Sequence, residues 1–189
     1  GQFDFIFCCV KSYDLEEALA TLTPSVNSNT VIIPLLNGVD AAERISKIFP
    51  QANVWYGCVY IVSHIVTKAV IQVKGNIHSL FFGSDSYPES QGELLLKILL
   101  EAGIEANYSE NIKSVMWEKF VFISPFASLT TKLDLPIQQV LNNPEHKAVL
   151  INLLNEVVTI AIAKGINLPE DIIEKTVQKM MKVPEGTMS

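Results

Sequence analysis

The chain has 189 residues, enough for one large domain or two small ones. It is 49% hydrophobic and 18% charged, so it can bury a sizeable core, which excludes a disordered chain. The net charge is −6 and the basic residues are scattered without a run, which argues against nucleic acid or an anionic membrane as a partner.

Phe3 to Val10 is apolar with β character and reads as a buried strand. Asp14 to Leu22 reads as a short helix with Asp14 as N-cap, Thr30 to Leu36 as a second strand, Asp40 to Phe49 as a helix, and Val54 to Val62 as a third strand. This alternation implies a parallel α/β sheet. From Ala69 the pattern changes. Ala69 to Lys74 and Ile77 to Phe82 read as two strands joined by a Gly75-Asn76 turn. Gln91 to Ala102 is a helix ended by Gly103, and Ile104 to Tyr108 a last short strand.

After Tyr108 the β signal stops. Asn111 to about Thr131 reads as one long helix with Pro125 inside it, and Pro136 to Leu141 as a short helix. Glu145 to Lys164 is apolar nearly all round, which predicts the central helix of a bundle, capped by Gly165. Glu170 to Lys182 is a further amphipathic helix. The expected division is therefore an α/β part over residues 1–108 and an all-α part over 109–189.

Cys8, Cys9 and Cys58 are an odd count and read as reduced thiols, with Cys8 and Cys9 on opposite faces of a strand. There is no signal-peptide pattern, and no apolar run reads as long enough to cross a bilayer. These features together read as a cytoplasmic protein. No Cys/His spacing suggests a metal site, and the isolated His64 and His78 read as structural. No G-x-G-x-x-G occurs, so the phosphate-cradling turn of a dinucleotide fold is absent from residues 1–189. A three-strand parallel sheet also leaves a buried-type strand at an edge. On these grounds the chain reads as part of a longer protein, and residues 1–189 alone are expected to hold a dinucleotide weakly.

Three polar residues stand out. Lys119, within Met116-Trp117-Glu118-Lys119-Phe120, sits on an otherwise apolar helix, where an ammonium is costly unless paired or deprotonated. The bland alternative is a lysine that snorkels to solvent. Asn37, within Leu35-Leu36-Asn37-Gly38-Val39, follows a buried run and is either a turn residue or a ligand contact. Lys11 follows the carboxyl end of the first strand, where ligands bind in open α/β sheets; otherwise it is a solvated surface lysine. Glu156 on the apolar helix reads as pairing with a basic neighbour or capping a helix end, and Trp55 and Trp117 as core.

In order and spacing these residues resemble the ketopantoate reductase (2-dehydropantoate 2-reductase) family over essentially the whole chain. The resemblance rests on Asp4 to Lys11, Asn37-Gly38-Val39, Gly75 through His78 with Gly83, Trp117-Glu118-Lys119, and Glu156 with Ala163-Lys164-Gly165. It implies a partial Rossmann-like sheet followed by an all-α substrate domain similar to the C-terminal domain of 6-phosphogluconate dehydrogenase. It implies NADPH-dependent reduction of a 2-oxo acid, in a cleft between the two parts. Lys119 would be the proton donor, Asn37 would touch nicotinamide and substrate, and Lys11 would lie near the cofactor. Ser189, at the start of the family's Ser-Ser-Met-like stretch, would be a substrate contact. A homodimer stays open.

The chain also departs from the family. The family's asparagines four and eight residues after the lysine are here Ile123 and Ala127, offset from Lys119 by about 40° and 80° on a helix. Ser124 and Ser128, at about 140° and 180°, do not simply replace them. A third family asparagine corresponds to Ile137. These changes put the substrate in question more than the fold. They leave two rivals: a reductase of a more apolar 2-oxo acid, and a non-catalytic paralogue using the helical part for dimerisation or ligand sensing. A phosphorylated or opine-type substrate would call for an arginine cluster, and Arg44 is the only arginine.

Overall fold

The computed structural model describes residues 1–85 and 89–188. The chain forms two compact units, Gly1–Ile112 and Lys113–Ser189.

The first unit is α/β. Strands β1 (Phe5–Cys8), β2 (Val31–Pro34) and β3 (Asn53–Val54) form a parallel sheet in that order. Every residue of β2 is buried, as the central strand of a sheet covered on both faces must be. The period-two alternation sorts the side chains. Ile6, Cys8 and Ile32 pack with Leu15 and Leu19 of α1 (Leu15–Leu22) and with Ala41 and Ile45 of α2 (Ala41–Ile48). Phe5, Phe7, Val31 and Ile33 pack on the other face with Trp55, Leu80, Phe82, Leu95 and Leu99. Those last residues belong to the segment after β3, where β4 (Tyr56–Thr67), β5 (Val70–Gly83) and β6 (Ala106–Tyr108) form a second sheet. Helix α3 (Glu89–Glu101) carries Leu95 and Leu99. Trp55 is fully buried and stacks on Phe82 at 6.1 Å, joining the two sheets' cores.

The second unit is all helix: α4 (Ile112–Leu133, whose first residue closes the first unit), α5 (Ile137–Asn142), α6 (Pro144–Ala163) and α7 (Ile172–Met181). Its core unites Val121, Phe126 and Leu129 of α4 with Ile137 and Val140 of α5, Leu150 and Leu154 of α6, and Ile172 and Met180 of α7. The start of α6 is fixed by Asn143, whose Oδ1 accepts from the amides of Glu145 (2.9 Å) and His146 (3.1 Å), with Pro144 at the first helical position.

Several expectations need correction. The third parallel strand is two residues long, not nine; after Trp55, whose amide still donates to the Ile32 carbonyl (2.9 Å), the chain passes into β4, because the buried indole stacks on Phe82 of the second sheet. The hairpin turn is not at Gly75-Asn76. Thr67 pairs with Val70, so the turn residues are Lys68 and Ala69, and Gly75 (φ +74) lies in an irregularity within β5. A left-handed glycine serves a bulge as well as a turn, and sequence alone does not separate the two. Toward its turn this hairpin leaves Ile61, Val62, Ile65, Val66, Val70, Ile71 and Val73 solvent-exposed.

Helix α6 is not the buried centre of a bundle. Only Leu150, Leu154 and Ala161 are buried, and Val149, Ile160 and Ile162 are exposed, because α5 and α7 cover one stripe of it. By length and composition α6 is also apolar enough to cross a membrane, contrary to the sequence expectation; Asn152, Asn155 and Glu156 interrupt the run without lowering its average enough. Glu156 is exposed and joins no ion pair among the described residues, so water rather than a basic neighbour stabilises its charge.

Candidate active site

Lys11 and Asn37 occupy equivalent places in the first unit. Cys8 and Pro34 are paired across β1 and β2, and they are the last residues of those strands. Lys11 lies three residues beyond Cys8 and Asn37 three beyond Pro34, and both are exposed. They therefore stand side by side in sequence register at the carboxyl end of a parallel sheet, where α/β folds bind ligands. The amide of Leu35 donates to the Cys8 carbonyl (2.9 Å), extending the ladder one residue toward Asn37. Gly38 then has φ +104, a conformation that a side chain opposes, so the Asn-Gly order is required for the chain to turn here into α2.

Arg44 of α2 ties the residue after Lys11 and the first turn of α1 to the start of α2. Its guanidinium donates from Nε and Nη2 to Oε1 of Glu16 (3.0 and 2.7 Å) and from Nη2 to Oε2 (2.9 Å). It also donates from Nη1 to Ser12 Oγ and from Nη2 to the Ser12 carbonyl, both at 2.8 Å. Asp40 Oδ2 lies 3.7 Å from Nη1. The guanidinium's hydrogen bonds, helped by the backbone, hold the Glu16 carboxyl below the usual carboxylate range. Ser12 follows Lys11 directly, and Asp40 precedes α2. No sequence signal pointed to this clasp, because Ser12, Glu16 and Arg44 are brought together only by the fold.

Cys9, next to Lys11's loop, is exposed while Cys8 is buried, so the two do point to opposite faces. Burial pushes the Cys8 thiol up from its ordinary value, which keeps it protonated rather than nucleophilic.

Lys119 lies in the second unit, half-buried on α4. At about 100° per residue its helical face is shared with Ile112, Met116, Phe126 and Thr130, all buried. A lysine among such neighbours is partly desolvated, which strengthens its interaction with any anion brought to it. Trp117 packs edge-on against Phe120 at 5.6 Å. Ile123 and Ala127 are half-buried beside Lys119's face, whereas Ser128 is exposed. Ile137 is fully buried in the core of the unit, so its side chain serves packing. Ser114 Oγ donates to the Asn167 carbonyl (2.8 Å), fastening the first turn of α4 to the loop after α6. The helix runs on through Pro125, which is itself buried. Ser189 lies outside the described residues.

Residues 1–86 match the family model described as ketopantoate reductase PanE/ApbA, and residues 111–189 match its C-terminal model. The chain belongs to the ketopantoate reductase family. Among solved structures, 2-dehydropantoate 2-reductase from Porphyromonas gingivalis W83 superposes with a TM-score of 0.89 at 35% identity, covering 97% of this chain and 63% of that one. Among curated relatives, the uncharacterized oxidoreductase YkpB of Bacillus subtilis is 28% identical over 95% of this chain and 60% of its own length. The 2-dehydropantoate 2-reductase of Aquifex aeolicus is 24% identical over 82% of this chain and 50% of its own. The chain thus spans between half and two thirds of these relatives. As a ketopantoate reductase family member it has the fold expected of it: mixed α/β, then all-α.

Proposed function

We propose that the protein carrying this chain is an NADPH-dependent reductase of a 2-oxo acid, of the 2-dehydropantoate to pantoate type. The observation that carries this reading is a lysine half-buried on an apolar helical face, in a family whose relatives are named as reductases of a 2-oxo acid. When bound, a nicotinamide cofactor supplies hydride to the keto carbon. The residues past β1 and β2 suit the nicotinamide end of such a group: an amide donor and acceptor at Asn37 and a cation at Lys11, on the ligand-binding edge of a parallel sheet.

Lys119 has the chemistry for the other half of the reaction. As the keto carbon gains a bond to hydrogen, its oxygen gains negative charge. The Lys119 ammonium stabilises that charge and gives the oxygen a proton from Nζ, leaving a neutral amine that water reprotonates. Asn37 orients the nicotinamide and the substrate carbonyl through its amide. Ser189 is a further substrate contact in this reading.

Within that type, a 2-oxo acid with a plain branched alkyl chain is expected to be reduced at least as well as ketopantoate. Ile123 and Ala127 stand beside Lys119's face where the resemblance places amides, and neither can bond a hydroxymethyl group. The test is NADPH oxidation by the whole protein with ketopantoate and 2-oxoisovalerate side by side. Turnover of 2-oxoisovalerate at least equal to that of ketopantoate is expected. A tenfold preference for ketopantoate refutes the substrate reading, and turnover of no 2-oxo acid refutes the reductase reading in favour of a non-catalytic paralogue.

A further inference from the structure

We propose that Arg44 is a positioning residue for the cofactor, acting through Ser12 and Glu16 to fix the Lys11 and Asn37 loops relative to each other; this deepens the reading above and rests on it. One planar guanidinium makes five hydrogen bonds of 2.7 to 3.0 Å to Ser12 and Glu16. Two of its contacts, to the Ser12 hydroxyl and carbonyl, grip the residue after Lys11. Its own helix begins at Ala41, and its backbone amide donates to the Asp40 carbonyl (3.0 Å), so the same residue closes the first turn after the Asn37-Gly38 bend. Glu16 lies in the first turn of α1. The clasp therefore joins the starts of the two helices that follow the two candidate loops.

Neither the N-cap residue of α1 nor that of α2 makes a side-chain cap bond, and Lys11, Tyr13 and Asn37 are exposed. An exposed ion pair contributes little to stability on average. A forked, bidentate one sets geometry, and lysine cannot reproduce the fork. The expected effect is accordingly on loop position and cofactor capture rather than on folding.

The experiment compares wild type, Arg44→Ala, Arg44→Lys and Glu16→Gln in the whole protein. Amide hydrogen exchange is followed over residues 9–14 and 35–40, alongside steady-state NADPH kinetics with 2-oxoisovalerate. In Arg44→Ala both segments exchange about tenfold faster and KM for NADPH rises about tenfold, while kcat stays within threefold because Lys119 is untouched. Arg44→Lys recovers only part of either effect, and Glu16→Gln falls between. Unchanged exchange in either segment overturns the proposal, as does faster exchange with unchanged KM. If wild type itself turns over no 2-oxo acid, the functional reading fails. The exchange data, with NADPH affinity measured by fluorescence, then decide the clasp alone.

Discussion

Replacing Gly83 by alanine tests whether the end of β5 packs against Ser109 and Ile112 as tightly as the structure has it. A Cβ on Gly83 would lie 2.1 Å from the Ser109 carbonyl oxygen and 3.1 Å from Ile112 Cβ. The first neighbour is backbone, so it cannot swing aside as a side-chain end would. Ser109 is held by its amide, which donates to the Phe82 carbonyl at 2.9 Å, one residue beyond the Phe82–Tyr108 pair. Relief of about 1 Å therefore breaks that bond or shifts the end of β6. Overpacking costs about 1–3 kcal/mol, and a lost backbone hydrogen bond costs about 1 kcal/mol more. The sum, roughly 2–4 kcal/mol, is a large part of the 5–15 kcal/mol of a typical domain. Urea unfolding followed by tryptophan fluorescence measures it, with Trp55 reporting from the adjoining core. A midpoint drop of that size at unchanged slope is expected. A loss under about 0.5 kcal/mol, the range of an ordinary surface change, would refute the packing argument.

Other outcomes follow from single positions. Ala69 holds φ +64 in the β4–β5 turn, so Ala69→Gly relieves a left-handed alanine and should add about 0.5–1 kcal/mol in the same urea assay. Glu16 has a folded-state pKa below its unfolded value, so the pair with Arg44 contributes fully above the ordinary carboxylate range and is lost as pH falls through the lowered value. Carbon-13 titration should show the Glu16 carboxyl below an ordinary glutamate in wild type and back at the ordinary value in Arg44→Ala. Restoring amides with Ile123→Asn and Ala127→Asn should raise the kcat/KM ratio of ketopantoate to 2-oxoisovalerate several-fold, about 1 kcal/mol for one recovered hydrogen bond.

What could be read from sequence was set by periodicity. The buried run Val31–Pro34 and the 22-residue α4 are long or apolar enough to announce themselves. Gly75 misled because a bulge and a turn use the same left-handed glycine, while the real turn residue, Ala69, carries no turn signature. Helix α6 misled because an all-round apolar sequence says that burial is favourable, not that neighbours cover it. Of the candidate residues, Asn37 stands out in the sequence as a polar residue after an apolar run and Lys119 as one within such a run. The clasp does not, because Ser12, Glu16 and Arg44 come together only through the folding of two βα units. Ile137 could be placed in the core only once α5 was seen to pack on α6 and α7.

The central claim is that Lys119 is the proton donor of a 2-oxo acid reduction. The measurement that tests it most directly is kcat of Lys119→Ala against wild type in the whole protein, with saturating NADPH and 2-oxoisovalerate, alongside NADPH affinity by fluorescence. A fall in kcat of about a hundredfold or more, the range for losing a positioned general acid, with NADPH affinity changed less than threefold, is the predicted result. A variant that keeps near-wild-type kcat would return Lys119 to an ordinary helix lysine and contradict the account.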